Sequence, residues 1–270
     1  MFTIRGAAHS FDRSGVGPTF VWGHGLTSSR AGEDAFPLLE WDEVRRSADV
    51  LRYDARGHGE TAFTPELDGY RWDALALDQL ELCDAVGIET AIVGGASMGA
   101  ATALHVATIA PQRVRALVLM IPPTAWETRA AQSGVYDQMA DVIDAAGVEP
   151  LIAASADVAP PDPFVADGGW KERRAETLRT ADPVRLAGVF RGAAGADLPA
   201  REAVAAITCP SLILAWSGDP GHPVSSAEQL HGLIDGSTVH VAATLDELET
   251  WTGRIVDFLA AVGPVEVSPA

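Results

Sequence analysis

Four short, almost wholly apolar runs recur along the first half of this chain, and they limit its fold more than any other feature. They are Thr19-Phe20-Val21-Trp22, Val50-Leu51-Arg52-Tyr53, Ala91-Ile92-Val93 and the stretch 116–121. Runs that are apolar at successive positions, not at every second one, suit strands covered on both faces. Longer segments separate them, and strands alternating with helices build a mostly parallel sheet wrapped by helices on both sides. Between 70 and 86, Trp72, Leu75, Ala76, Leu80, Cys83 and Val86 recur at helical spacing. A helix is predicted over 36–47. Another, whose Ala100, Ala101 and Ala103 let it lie close to the sheet, runs on to Pro111.

The rhythm stops at Pro122. From there to about 200 the sequence holds helical stretches and the Pro160-Pro161-Asp162-Pro163 patch, with no strand signal. Alternation resumes with a strand at 211–216, a helix at 224–234, a strand at 237–242 and a last helix to about 261. A chain of 270 residues suits one large α/β unit with an insertion. The expected division is a first core part at 1–121, a helical cap insertion at 122–200, a second core part at 201–262 and a frayed tail at 263–270.

The apolar run at 91–93 breaks abruptly into Gly94-Gly95-Ala96-Ser97-Met98-Gly99. Gly95 to Gly99 fits G-x-S-x-G in the context where that pattern has mechanical meaning. A strand feeds straight into a helix, so the serine is exposed on a tight, strained turn. The N–H of Met98, at the helix N-terminus, is aimed to stabilise an oxyanion. A dinucleotide fingerprint is the competing reading. It fails because position 96 is alanine and an apolar strand lies where the ribose-binding acid belongs.

Three motifs in order, His24-Gly25-Leu26-Thr27, Asp54-Ala55-Arg56-Gly57-His58-Gly59 and Gly95 to Gly99, resemble the α/β-hydrolase superfamily. The likeness runs from Phe20 to about Leu259. It implies a serine nucleophile at Ser97 and a second oxyanion donor at Leu26 N–H. It implies a mainly structural role for the Arg56 to Gly59 motif, and an acid in the loop after the strand that follows the insertion, where Asp219 stands. The resemblance also predicts a histidine, usually preceded by glycine, after the last strand. Here Ser237-Thr238-Val239-His240-Val241-Ala242 runs into Ala243-Thr244-Leu245-Asp246-Glu247, and no Gly-His pair occurs. Asp246 and Glu247 suit the first turn of the final helix.

A serine hydroxyl needs a neighbouring base, so the missing histidine is the main open point. His222, three residues beyond Asp219 in a Gly/Pro-rich loop, is the leading substitute. His240 lies within a strand and His24 beside the oxyanion loop, and both are weaker alternatives. His105 is expected to face the core or the cap, and His9 and His231 the surface.

The net charge of −18 repels nucleic acid and anionic membrane surfaces. It leaves two readings: solubility, or a preference for neutral or cationic substrates. Cys83 and Cys209 are far apart in apolar patterns and read as two thiols, which suits a reducing cytoplasm. The beginning Met1-Phe2-Thr3-Ile4-Arg5 has no export pattern. The expected partner is a small molecule, with no metal or cofactor implied, and the cap face is the candidate surface for a homodimer. The leading expectation is a serine hydrolase acting on an ester, thioester or lactone of a small, largely apolar substrate through an acyl-enzyme. The alternatives are a degenerate member that binds a ligand without turnover, a carbon–carbon bond hydrolase and a cofactor-free peroxidase. Trp72, Trp126 and Trp170 are candidates to line a cap pocket, or else core residues.

Overall fold

A computed structural model describes residues 1–263, so most of the tail expected at 263–270 lies outside the described residues. The strands are β1 (Phe2–Ile4), β2 (Ala7–His9), β3 (Phe11–Gly15), β4 (Thr19–Gly23), β5 (Asp49–Tyr53), β6 (Ala91–Ala96), β7 (Val114–Met120), β8 (Ser211–Trp216) and β9 (Ser237–Ala242). β1 and β2 pair as a small antiparallel ribbon. The other seven form one sheet in the order β3-β5-β4-β6-β7-β8-β9, parallel throughout except for β3 at its edge.

Alternation of side chains along each strand sorts the core into two layers. Val21, Leu51, Val93, Leu117 and Ile213 face the layer that includes helices Trp72–Ala85 and Met98–Ile109. Phe20, Trp22, Val50, Ile92, Val118 and Leu214 face the layer that includes Trp41–Arg45 and Trp251–Val262. The inner strands are buried at every position except Thr19, Asp49 and Arg115, whereas β9 at the far edge is largely half-exposed or exposed. Edge placement explains its polar Thr238 and His240.

The stretch between β7 and β8 contains helices and no strand. Helices Arg129–Ala146 and Pro183–Ala194 pack on each other, and Arg129 joins them. Its buried guanidinium donates to the carbonyls of Ala196 and Ala193 at the C-terminal end of Pro183–Ala194, where the helix dipole favours a cation. It also lies 4.1 Å from the Trp72 ring centre. No helix among the described residues is long and apolar enough to cross a membrane.

Three local expectations change. Of the helix predicted over 36–47 only Trp41–Arg45 forms; a separate helix, Arg30–Ala35, capped by Ser29, precedes it, and Pro37 lies in the non-helical segment between them. The last helix likewise splits at Thr250 into Leu245–Glu249 and Trp251–Val262. His9 is buried, not superficial. Its Nδ1 lies 3.1 Å from Ala7 O and its Nε2 3.7 Å from Asp78, in a pairing no local pattern encodes.

Glu33, on the helix after the His24 loop, carries a strained charge. Its Oε1 accepts the Trp22 indole N–H at 2.9 Å, while Oε2 is buried without a partner. Burial pushes this carboxyl up from 4.5 to about 7, despite the opposing Trp22 bond and nearby Arg52. As pH rises from 4.5 to 7, the unfolded chain releases this proton before the folded one does, so stability falls across that window. Glu33→Gln is therefore expected to raise the thermal unfolding midpoint by a few degrees at pH 8 and hardly at all at pH 4.5. Thermal unfolding of both proteins at the two pH values checks this.

Candidate active site

From β4 the chain moves outward to β5 on one side and through β6 to β7 on the other. The carboxyl ends of β4 and β6 therefore open a crevice at the point where the strand order reverses. The His24-Gly25 turn leaves β4 there, and Ser97 leaves β6. Ser97 has φ 52° and ψ −108°, a left-handed conformation rare outside glycine. Its N–H donates to Met120 O at 2.9 Å and its carbonyl accepts from Ala101 N–H at 3.0 Å, leaving the side chain free. The turn is possible because three glycines touch. A Cβ on Gly99 would lie 2.0 Å from Gly23 O, and one on Gly95 would lie 2.6 Å from the same oxygen.

β8 delivers the other polar groups. Asp219 and His222 occupy a single turn closed by His222 N–H to Asp219 O at 3.2 Å, and Thr124 N–H pins it through Gly221 O at 3.1 Å. Ser97 Oγ lies 2.7 Å from His222 Nε2, and His222 Nδ1 lies 2.8 Å from Asp219 Oδ2. A carboxylate only accepts, so Nδ1 carries the proton and Nε2 is the acceptor for the serine hydroxyl. Burial pushes the Asp219 carboxyl up. His222, the Gly221 N–H at 2.8 Å and the Trp216 indole N–H at 3.0 Å outweigh that and hold it well below the usual carboxylate range. Asp219 is thus ionised and hydrogen-bonded on both oxygens.

The two loops proposed to donate to an oxyanion meet beside Ser97. A Cβ on Gly25 would stand 3.8 Å from Ser97 Cβ. Met98 opens its helix, where N–H groups have no intrahelical partner. The peptide that carries Leu26 N–H is held through its carbonyl, Gly25 O, which lies 2.8 Å from His24 Nδ1, and the next carbonyl, Leu26 O, lies 2.6 Å from His58 Nε2. Asp54 holds the end of that loop by accepting Arg30 N–H at 2.8 Å.

The other histidines are engaged elsewhere. His24 Nε2 accepts Ala55 N–H at 3.0 Å and its Nδ1 donates to Gly25 O at 2.8 Å. Burial and neighbouring His58 push its ring down to about 3, so it stays neutral. His58 lies between the carbonyls of Arg56 and Leu26, and burial pushes it down as well. His240 contacts Arg254 at 3.0 Å on the edge strand. His105 Nε2 donates to Asp197 O at 2.9 Å, and His231 is exposed. After β9, Thr244 and Glu247 form a capping box at once, which removes the loop where a histidine was expected. No group of three or more potential metal ligands occurs among the described residues.

A cleft of about 490 Å³ opens beside Leu26, Thr27 and Ser28 and is bounded across from them by Thr177, Leu186 and Val189 of the helical insertion. Its size is in the range of small-molecule sites. The three tryptophans considered for a pocket have other work: Trp72 is core under Arg129, Trp126 donates to Pro199 O, and Trp170 stacks on Phe164. Sequence reasoning passed over Trp216, Gly23 and Thr124. The indole at the end of β8, one turn from Asp219, was the available signal for the first.

Residues 18–244 match the α/β-hydrolase fold family. The chain is 28% identical to 3-oxoadipate enol-lactonase 1 of Acinetobacter baylyi over 66% of its length, a stretch spanning 64% of that enzyme. It is 27% identical to "Putative carbamate hydrolase RutD" of Variovorax paradoxus, over 79% of this chain and 82% of that protein. Among solved structures, the enol-lactonase from Burkholderia xenovorans LB400 superposes with a TM-score of 0.81 at 21% identity, covering 96% of this chain and 99% of that one. With the parallel sheet, the serine turn and a family match over most of its length, this chain belongs to the α/β-hydrolase family.

Proposed function

We propose that the protein is a serine hydrolase that cleaves an ester, thioester or lactone of a small, largely apolar substrate through an acyl-enzyme. The observation that carries this reading is the unbroken relay from Ser97 Oγ through His222 to Asp219, at 2.7 and 2.8 Å. It lies on a strained turn next to two backbone donors. His222 takes the Ser97 proton as Oγ bonds to the substrate carbonyl carbon, and the Leu26 and Met98 amides hold the resulting oxyanion. The bond to the leaving group then breaks, and that group takes the proton from His222. Water, giving a proton to His222, attacks the acyl carbon and frees both the acid and Ser97. Asp219 fixes the tautomer and stabilises the imidazolium. No step calls for a metal or cofactor.

The helical insertion acts as a cap, and the cleft that Leu26 lines is the candidate approach to the site, reaching the oxyanion loop and not Ser97, Asp219 or His222 themselves. Lactone chemistry in one relative fits the same relay, since a lactone is an internal ester. Two free thiols, both with ionisation pushed up by burial, fit a cytoplasmic location. The test is pre-steady-state hydrolysis of 4-nitrophenyl acetate. A burst of one nitrophenolate per chain followed by slower turnover is expected, and Ser97→Ala is expected to lose both. No burst and no turnover, or turnover unchanged in Ser97→Ala, would refute the mechanism.

A further inference from the structure

β8 ends on Trp216, and the indole does more than fill the core. Its Nε1–H donates to Asp219 Oδ2, the same oxygen that receives His222 Nδ1–H. Asp219 Oδ1 is taken by Gly221 N–H. The ring is buried and clamped by others from separate segments. Trp251 stacks on it at 6.2 Å and 19°, while Phe164 at 5.5 Å and Trp170 at 6.2 Å meet it edge to face. The imidazole of His222 stands at 6.2 Å and 85° to the same ring. An indole held this firmly presents its single donor in one direction. A carboxylate oxygen can accept two bonds, so Trp216 occupies one acceptor site of Oδ2 and leaves the other for His222.

We infer that Trp216 is a positioning residue for the Asp219–His222 pair: its N–H fixes the carboxylate rotamer and draws off part of its charge. The inference rests on the serine-hydrolase reading above. Trp216→Phe keeps an aromatic ring in the clamp and removes the donor. The carboxylate then turns more freely, which slows acylation. It also keeps more of its charge for the imidazolium, which moves the pH midpoint of acylation upward. The other polar groups around the pair stay in place: the Ser97 hydroxyl from the β6 turn, the Tyr136 phenol from the insertion, which feels the Asp219 charge, and Asp162, packed against Gly218, the residue before Asp219.

The experiment is the rate of fluorophosphonate labelling of native protein and Trp216→Phe between pH 5 and 9, with thermal unfolding of each. The expected result is a plateau rate about tenfold lower and a midpoint about half a pH unit higher. An unchanged rate and midpoint would overturn the role, and so would a slower rate with an unmoved midpoint, which is the mark of packing alone. A native protein that does not label at all sinks the hydrolase reading and this inference together, whereas labelling indifferent to Trp216 sinks only the inference. A second measurement does not need the Phe variant to fold. In protein labelled with ¹⁵N-tryptophan, Asp219→Asn is expected to shift one indole N–H signal far more than the other six, out of seven tryptophans. Seven unmoved signals would show that the bond is absent and overturn the proposal.

Discussion

His222→Ala is expected to slow acylation by 4-nitrophenyl acetate by about 10⁴-fold or more, with little change in the unfolding midpoint. The size follows from what remains. Without an acceptor 2.7 Å from Oγ, the serine hydroxyl keeps its proton and is a poor nucleophile. No other ring can take over. His24 has both nitrogens bonded and is pushed down to about 3, and His240 is held by Arg254 at the edge of the sheet. The fold should tolerate the change, because the His222 side chain is 21% exposed and its turn is closed by backbone hydrogen bonds. A variant that acylates within tenfold of the native rate would show that the base lies elsewhere.

Gly99→Ala is expected to cost about 3 kcal/mol of stability and to lower the unfolding midpoint by roughly 6–12 °C. The added methyl would stand 2.0 Å from Gly23 O and 2.4 Å from Gly23 C, backbone atoms of a central strand that cannot swing aside. Relief requires the serine turn to move away from β4. That also carries Met98 N–H away from the Leu26 loop, so activity should fall further than stability alone explains. Gly134→Ala is the control. It lies within helix Arg129–Ala146 with nothing near its Cβ position, and there alanine should add up to about 1 kcal/mol. Denaturant unfolding of the two variants gives both values, and equal effects would refute the argument from contact.

How much of this was legible in the sequence depended on how local each signal was. The parallel strands were readable because residues such as Val21, Ile92 and Leu117 sit in short unbroken apolar runs bounded by turn residues, which suit a sheet covered on both faces. Ser97 was readable because its strand, turn and helix are contiguous. Asp219 and His222 could be read as candidates for a related reason: they share one short loop, so the first brought the second into view, and the structure places them 2.8 Å apart. The direction of the imidazole was not readable, since it depends on the spacing of β6, β7 and β8 across the sheet.

The losses have the same cause. His9 read as a surface residue because its partner Asp78 lies 69 positions away. The Trp216 indole drew no notice because burial and hydrogen bonding to Asp219 leave the same trace in a sequence. Gly23 carries no signal of its own in the sequence, although it is the surface against which Gly95 and Gly99 close. The helix expected over 36–47 shrinks to Trp41–Arg45, since Pro37 disfavours a helix that begins just before it.

The central claim is that Ser97 is activated by a base carried on the acid's own loop. Its most direct test is intact mass after brief exposure to a fluorophosphonate, followed by peptide mapping, for native protein and His222→Ala. The account predicts one adduct per native chain, on the peptide containing Ser97, and almost none on the variant in the same time. No adduct on the native protein, an adduct on another residue, or equal labelling of His222→Ala would contradict it.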